Sequence, residues 1–538
     1  MRQLTNCQIM GALPDFFDPD RIVSEPKELL RFEENAGNFE RKINAVVYPL
    51  SHNEVSRLVE WANEFKVALY PISTGKNWGM GSKVPVTNNC IVVDLSRMNK
   101  IVEVNTTHDY VVIEPGVTQQ QLYDYLEANN LPYIFNVTGS SSKTSIIGNS
   151  LERGVGYFSS RVENIRALNV VLGNGKSIQT GFGHYENSKN KHIYTYGVGP
   201  DITGLFYQSG FGIVTQATFD LIPKRAVHSI MLCGLEDNDQ YESYINDLAQ
   251  LRKQEVITTA FHIANRGRSS IALLPHVEEY FVNKLGMTKE EARNETVSFH
   301  SRITKDQWSA FGGVMGSKSE VRLARKAIKK KMKKYGNVMF LTQNKLDRLQ
   351  RLVGLFSFIP YFKKLKAFTI SMEAAFSYSQ GIPSDMALNS VYWPLNVEIK
   401  KNTIEEIDNS DAGLLFSLPI LPLEGKALKI ASDATINTFA NYGFEAYITF
   451  NIIDSKSIES VINLAFRKSD DKAVEDAKKA IDELNQFFMN EGYILYRADI
   501  DRMHHVVDKN DTFWQTIKEL KKSFDPNNIV APGRYSPL

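Results

Sequence analysis

A protein of mixed α and β structure, built in two or three domains, is what this sequence predicts, and three observations predict it. At 538 residues the chain is longer than one hydrophobic core can organise. Between residues 45 and 223, short apolar runs alternate with amphipathic stretches and polar loops, in an α+β or α/β manner. After Lys224 the texture changes: helical stretches lengthen and carry more charge, and the glycine-rich loops stop.

The elements follow in order. Residues 1 to 40 are irregular, acidic and aromatic, and read as a surface-wrapping arm. Ala45-Val-Val-Tyr48 is a strand closed by Pro49, and Ser51-His-Asn-Glu54 is a capping box. It opens a helix that buries Val55, Leu58, Val59 and Ala62. The apolar run Val67-Ala-Leu-Tyr-Pro-Ile72 is a buried strand, and it feeds the loop Pro71-Ile-Ser-Thr-Gly-Lys-Asn-Trp-Gly-Met-Gly-Ser82. In that loop Gly75, Gly79 and Gly81 permit positive φ, while Ser73, Thr74, Lys76 and Asn77 supply donors. Such a loop suits a pyrophosphate, and a plain glycine-rich turn has the same composition. It matches neither a Walker loop nor the G-x-G-x-x-G fingerprint.

Strands follow at Cys90–Asp94, Ile101–Val104 and Tyr110–Ile113, then a helix capped by Thr118 that carries Leu122, Tyr125 and Leu126. A second polar loop, Val137-Thr-Gly-Ser-Ser-Ser-Lys-Thr-Ser145, runs into Ile146-Ile-Gly-Asn149 and Glu152-Arg-Gly-Val-Gly-Tyr157. Ala167–Leu172, the turn Gly173-Asn-Gly175 and Ser177-Ile178 read as a hairpin, and Gly212–Pro223 as one more strand. Val321–Tyr335 is an amphipathic helix whose eight basic residues read as a solvated face. Leu352–Phe362 is apolar, too short to span a bilayer, and reads as core or a subunit contact, with a membrane-surface role as the alternative. Near the end, Tyr493–Arg497 reads as a strand, Phe513–Leu520 as helix, and Asp525–Arg534 as an ordered closing loop.

Composition narrows the function. A net charge of +1 argues against nucleic-acid binding through a general basic field. Cys7, Cys90 and Cys233 are scattered, with neither metal-ligand spacing nor a disulfide framework, which suits a reducing cytosol. Residues 1–8 lack the apolar core of a signal peptide, and no apolar run reaches about 18 residues, so no membrane span is expected. The expectation is a cytoplasmic protein with no metal and no nucleic-acid partner.

Six segments, taken together, resemble the vanillyl-alcohol oxidase and p-cresol methylhydroxylase (PCMH) family of flavoproteins. They are Pro-Ile-Ser-Thr-Gly-Lys-Asn at 71–77, Glu-Arg-Gly-Val-Gly-Tyr at 152–157, Tyr-Gly-Val-Gly-Pro at 196–200, Gln-Ser-Gly-Phe-Gly-Ile-Val-Thr at 208–215, Tyr496-Arg497 and Asp-Pro-Asn-Asn-Ile-Val-Ala-Pro-Gly-Arg at 525–534. They occur in the family's order and span most of the chain. The resemblance implies an α+β fold with a two-subdomain PCMH-type FAD-binding domain split in sequence, 1–224 and 493–538. Residues 225–492 would form an α+β cap domain with an antiparallel sheet.

It also implies roles. Pro71, Ser73, Thr74, Gly75, Lys76, Asn77, Trp78 and Gly79 would wrap the FAD pyrophosphate. Thr138, Gly139, Ser140, Gly148 and Asn149 would lie along the flavin, and Gly212, Ile213 and Val214 would touch the adenosine half. Arg534 would face the N1/C2=O edge of the flavin. Tyr496 and Arg497 match a clamp for a phenolate, and Tyr157 a further active-site tyrosine. An anion in a dry pocket needs a guanidinium and hydroxyl donors at its oxygen. In the family a hydride then passes from the benzylic carbon to flavin N5. The implied protein is an FAD-dependent oxidoreductase acting on a phenolic or other hydroxylated small molecule, with O2 or another redox partner as acceptor and a homo-oligomeric assembly.

The chain departs from that pattern in its substrate pocket. The second phenolate tyrosine is replaced by Met80, whose thioether donates no hydrogen bond, and the acidic residue near N5 aligns with Ser140. The histidine that carries the flavin covalently aligns with Leu414, and no His, Tyr or Cys occurs from Trp393 to Asn441, so FAD is expected to be non-covalent. Ile458-Glu459-Ser460 replaces a Met-His-His element, and His504-His505 offers an imidazole that could take over as base, or a surface pair. These losses leave an alternative: a flavin-binding or sensing module of the same fold whose catalysis has lapsed.

Overall fold

Among the described residues the β-structure falls into four sheets: one mixed, two larger antiparallel ones and a two-stranded antiparallel pair. The computed structural model describes residues 17–399, 404 and 406–537, so Cys7 and the first part of the expected arm lie outside the described residues. In the first sheet the order is Ile22–Val23, Ile43–Val47, Cys90–Asp94 and Leu69–Ile72, with the last three strands parallel. Helix His52–Phe65 packs Val55, Leu58, Val59 and Trp61 into the same core as Val46, Val92 and Leu69. Its capping box is only half formed. Ser51 accepts the Glu54 N–H at 3.3 Å, but the Glu54 carboxylate accepts the Leu50 N–H at 2.9 Å and pairs with Arg21 at 2.7 Å.

The chain's far end joins this sheet. Leu69 N–H donates to Ile529 O at 2.8 Å and Ala531 N–H to Leu69 O at 2.7 Å, so residues 529–531 run beside the strand that feeds the glycine-rich loop. A second, five-stranded sheet has the order Ile101–Asn105, Tyr110–Ile113, Gly212–Asp220, Ile165–Leu172 and Ser177–Gln179, the last two forming the expected hairpin. The strand expected at Gly212–Pro223 divides at Leu221, and Ile222–Pro223 pairs instead with Tyr133–Ile134. Tyr493–Arg497 is not a strand; one isolated bridge, Pro419 with Leu495, is all the pairing it makes.

The third sheet has eight antiparallel strands, all drawn from residues 227–467. Because side chains alternate across a strand, Ile263, Phe450, Ile458 and Ile462 enter the core on one face. The other face carries His262, Asn451 and Glu459, which stand opposite one another on three neighbouring strands. The His262 ring bonds the Asn451 side-chain oxygen at 2.6 Å, and the Asn451 amide donates to Glu459 O at 2.9 Å.

Helix Lys318–Met332 buries Val321, Ile328 and Met332, and Lys331 and Lys334 pair with Asp247 at 3.1 and 2.9 Å, in keeping with a solvated face on a packed helix. Of the apolar stretch Leu352–Phe362, Val353 is buried in its helix, and the rest is not core. It is the turn between helices Gln343–Leu355 and Pro360–Ser379, where Leu355 is 73% and Phe358 79% exposed. The core reading fails because the helix boundary at Pro360 turns these side chains outward. Among the described residues no helix is long and apolar enough to cross a membrane.

Candidate active site

A cleft opens where the first two sheets meet. One wall is the loop from Tyr70 to Asn77, and the other is Thr144 to Glu152, with Gln208, Ser209, Gly212, Val214 and Arg534 closing the ends. The two loops are stitched together where Ser145 N–H donates to Thr74 Oγ1 at 3.1 Å. Ser145 also caps the short helix Ile146–Leu151 by accepting the Gly148 N–H at 2.9 Å.

Two glycines show why the cleft has this shape. A Cβ on Gly148 would stand 2.1 Å from Ser73 Oγ, so a side chain there would push the walls apart. Gly79 turns at φ +70°, and a Cβ on it would meet Phe416 at 2.7 Å and Leu414 O at 2.9 Å. The glycine-rich loop is therefore in close contact with the eight-stranded sheet at Leu414 and Phe416.

Charge in the cleft fits an anionic dinucleotide. Glu152 is the one carboxylate in the lining, and Arg534 neutralises it with one guanidinium nitrogen while the other donates to Tyr70 Oη at 2.6 Å. Burial alone would lower the pKa of Arg534; Glu152, Tyr70 and Tyr535 outweigh it and raise the pKa, so the cation persists. Hydroxyls of Ser73 and Thr74, successive backbone N–H groups and Lys76 complete a cradle suited to two phosphates without a metal.

The second polar loop is held from across the chain. Asp385 accepts Ser141 Oγ–H at 2.8 Å, the Ser142 N–H at 2.8 Å and Ser142 Oγ–H at 2.9 Å. Asp408 does the same for the end of the glycine-rich loop, accepting Ser82 Oγ–H at 2.7 Å and the Ala36 N–H at 3.0 Å.

Beyond the cleft lies the clamp. Arg497 Nη2 donates to Asn77 Oδ1 at 2.8 Å, and its buried Nε–H has no protein partner. Tyr496 is anchored by its backbone, accepting from Gln208 Nε2 at 3.0 Å and donating to Leu418 O at 3.0 Å. Tyr157 is buried beneath the sheet, its ring 5.1 Å from that of Phe158 and 5.9 Å from that of His262. Burial raises both phenols above the ordinary tyrosine pKa, so they stay neutral donors. No hydrogen-bond partner satisfies the Tyr157 hydroxyl geometrically.

Of the residues read from the sequence, the structure gathers Pro71, Ser73, Thr74, Gly75, Lys76, Asn77, Gly148, Asn149, Gly212, Val214 and Arg534 around the cleft. Ile213 departs from its expected place. Its side chain is fully buried in the core of the first sheet, because strand alternation turns it away from a cleft lined by Gly212 and Val214. Trp78 and Met80 are buried behind the loop, with the Trp78 ring 5.4 Å from Lys76 Nζ. Thr138, Gly139 and Ser140 lie outside the cleft lining; the Thr138 N–H is held by Gln119 Oε1 at 2.8 Å. Leu414 is buried on strand Ala412–Ser417, its N–H bonded to Ala36 O at 2.8 Å. His504 and His505 are an exposed pair, ring centroids 4.1 Å apart.

Sequence reading assigned no role to Tyr70, Glu152, Asp385 or Asp408. Glu152 opens a quoted motif, so position hinted at it. The two aspartates act across 244 and 326 residues, and no local pattern announces them.

Comparison with known proteins agrees with this geometry. Residues 43–181 match the family model described as an FAD binding domain. The chain is 29% identical to the 1'-carboxy-chondrochloren decarboxylase of Chondromyces crocatus, over 92% of this chain and 90% of that one. It is 26% identical to the 4-cresol dehydrogenase [hydroxylating] flavoprotein subunit of Pseudomonas putida, over 96% and 91%. Its fold superposes on p-cresol methylhydroxylase with substrate bound at a TM-score of 0.82 and 24% identity, covering 99% of this chain and 97% of that one. For the isoeugenol complex of 4-ethylphenol oxidase from Gulosibacter chungangensis the TM-score is 0.84 at 21% identity, covering 99% and 98%. Fold and cleft thus define an FAD-binding oxidoreductase. Its α+β architecture is that of p-cresol methylhydroxylase and 4-ethylphenol oxidase, and over nearly its whole length the chain is similar to the 4-cresol dehydrogenase flavoprotein subunit.

Proposed function

We propose that this protein oxidises a phenolic or other hydroxylated small molecule, with residues 225–492 acting as a cap over a non-covalently held FAD. The observation that carries this is the bond between Arg497 and Asn77, which ties a half-buried guanidinium to the wall of the cleft. Pro71 to Asn77, Gly148, Asn149, Gly212 and Arg534 would hold the cofactor. FAD bound there supplies the oxidant that accepts a hydride from the substrate carbon.

The chain's own residues do the rest. Arg497 offers its unpaired Nε–H, and Tyr496 its hydroxyl, to the substrate oxygen; both are worth most where water is excluded. Tyr157 and the His262 edge of the sheet wall the opposite side. Met80 and Leu414 bring apolar surface where relatives would place a donor and a covalent anchor, so the substrate differs from a simple 4-alkylphenol. The relatives' names span cresol dehydrogenation and decarboxylation, which supports a substrate among hydroxylated aromatics or acids bearing one.

Two measurements test the reading. Acid precipitation of the yellow holoprotein is expected to leave a colourless pellet; colour retained in the pellet means a covalent link and defeats the inference from Leu414. Anaerobic mixing with a panel of phenols and alcohols is expected to bleach the flavin. A panel that never bleaches it points instead to a flavin-binding module without catalysis.

A further inference from the structure

We infer that Glu459 is the proton acceptor for the substrate's hydroxyl, an assignment that rests on the oxidoreductase reading above. Glu459 stands on strand Ser457–Arg467, on the face opposite Ile458 and Ser460. Its Oε2 is buried with no hydrogen-bond partner among the described residues. Its backbone is locked, since Asn451 Nδ2–H donates to Glu459 O at 2.9 Å, and Asn451 is itself held by His262. A fixed carboxyl with an unused oxygen, beside Tyr496 and Arg497, is placed to receive a proton from a group that those two residues hold.

Other groups at the site do not fill this role. The Tyr157 and Tyr496 phenols are held neutral by burial, and Arg497 is a cation. Glu152 is engaged by Arg534, Ser140 carries only a hydroxyl, and His504 and His505 are exposed. His262 is kept neutral by burial and already spends a ring nitrogen on Asn451.

The surroundings also suit the task. Burial pushes the Glu459 carboxyl up to about 7; the Glu163 carboxylate adds to this, while the Ser160 hydrogen bond, Arg497 and Arg153 oppose it. Behind Glu163 stand Asp454, which raises that carboxyl in turn, and Arg252, which lowers it. A carboxyl titrating near neutrality is half ready to accept and half ready to release. In the step assigned to it, the substrate O–H bond breaks and its proton goes to Glu459 Oε2. The adjacent C–H bond, or the benzylic one of a para-substituted phenol, would break with its electron pair leaving as hydride, for which bound FAD would supply the acceptor. The substrate gains a C=O and loses two electrons; Glu459 later returns its proton to solvent.

The test uses the holoprotein and 4-hydroxybenzyl alcohol under anaerobic conditions. The rate of flavin reduction is expected to rise with pH through about 7, because the carboxylate is the active form above its pKa. Glu459→Gln is expected to lower that rate about 100-fold or more and to abolish the rise, and Glu459→Asp to keep part of both. FAD content, the flavin spectrum and Tm should match the wild type, which separates lost chemistry from a damaged fold. A Glu459→Gln protein that keeps the rate and the pH limb overturns the assignment while leaving the oxidoreductase reading intact. If neither this alcohol nor the wider panel bleaches the wild type, the oxidoreductase reading falls first. An infrared difference spectrum between pH 6 and 8 reads Glu459 without turnover: a protonated-carboxyl band lost by pH 8 and missing from Glu459→Gln supports the assignment, and its absence from the wild type refutes it.

Discussion

Replacing Arg497 by methionine is expected to slow flavin reduction by about 100- to 1000-fold while leaving FAD bound, the loss typical of removing one donor to a developing oxyanion. Methionine fills similar space, so the change removes charge and hydrogen bonds more than packing. The lost bonds are specific. Nη2 no longer holds Asn77 Oδ1, and the buried Nε–H proposed to meet the substrate oxygen is gone. Arg497→Lys should recover charge without the planar fork, and so only part of the rate. Stopped-flow reduction with the FAD:protein ratio measured in parallel decides the matter. A rate within threefold of the wild type would show that Arg497 does not touch the reacting oxygen.

Asp525→Ala is expected to cost about 3–5 kcal/mol, the scale for breaking one half of a buried ion pair. The Asp525 carboxylate accepts the Ile529 N–H and the Val530 N–H at 2.8 Å each, and Lys521 Nζ at 2.7 Å. All three donors are buried, so alanine leaves two backbone N–H groups and a cation without that acceptor. Lys521 would retain only the carbonyls of Gly210 and Val530. Residues 529–531 lie against Leu69, and Arg534 a few positions on reaches Tyr70 and Glu152, so the cleft should loosen with the chain end. Thermal melting with flavin release as a second signal checks this. A Tm shift below about 2 °C with FAD retained would show that the pair is expendable. Lys521→Met should be milder, because Asp525 keeps its two N–H donors.

How much was legible in advance follows the range of the interaction. Thr118, Ser51 and Ser145 sit three residues before the N–H each accepts, and helices of this kind announce themselves locally. The loop at 71–77 and the C-terminal segment ending at Arg534 were readable as motifs, because glycine, serine and proline restrict the backbone wherever they stand. Tyr493–Arg497 misled: its apolar alternation looks like a strand, but with one bridge to Pro419 it has no neighbour along which to extend. Leu352–Phe362 misled in the other direction, since hydrophobicity alone does not distinguish a core from an exposed hairpin tip.

By itself, then, the sequence determined the likeness to PCMH-type flavoproteins, the composition of the glycine-rich loop and the lack of any His, Tyr or Cys from Trp393 to Asn441. Those depend on residue identity within a few positions. Only the tertiary structure decided that Asn77 would meet Arg497 420 residues later, that Asp385 would pin the loop at Ser141, and that Glu459 would face the clamp with a free oxygen. The physical reason is that an individual long-range bond adds little net free energy and leaves no local periodic signature. It becomes visible once burial has removed the competing water.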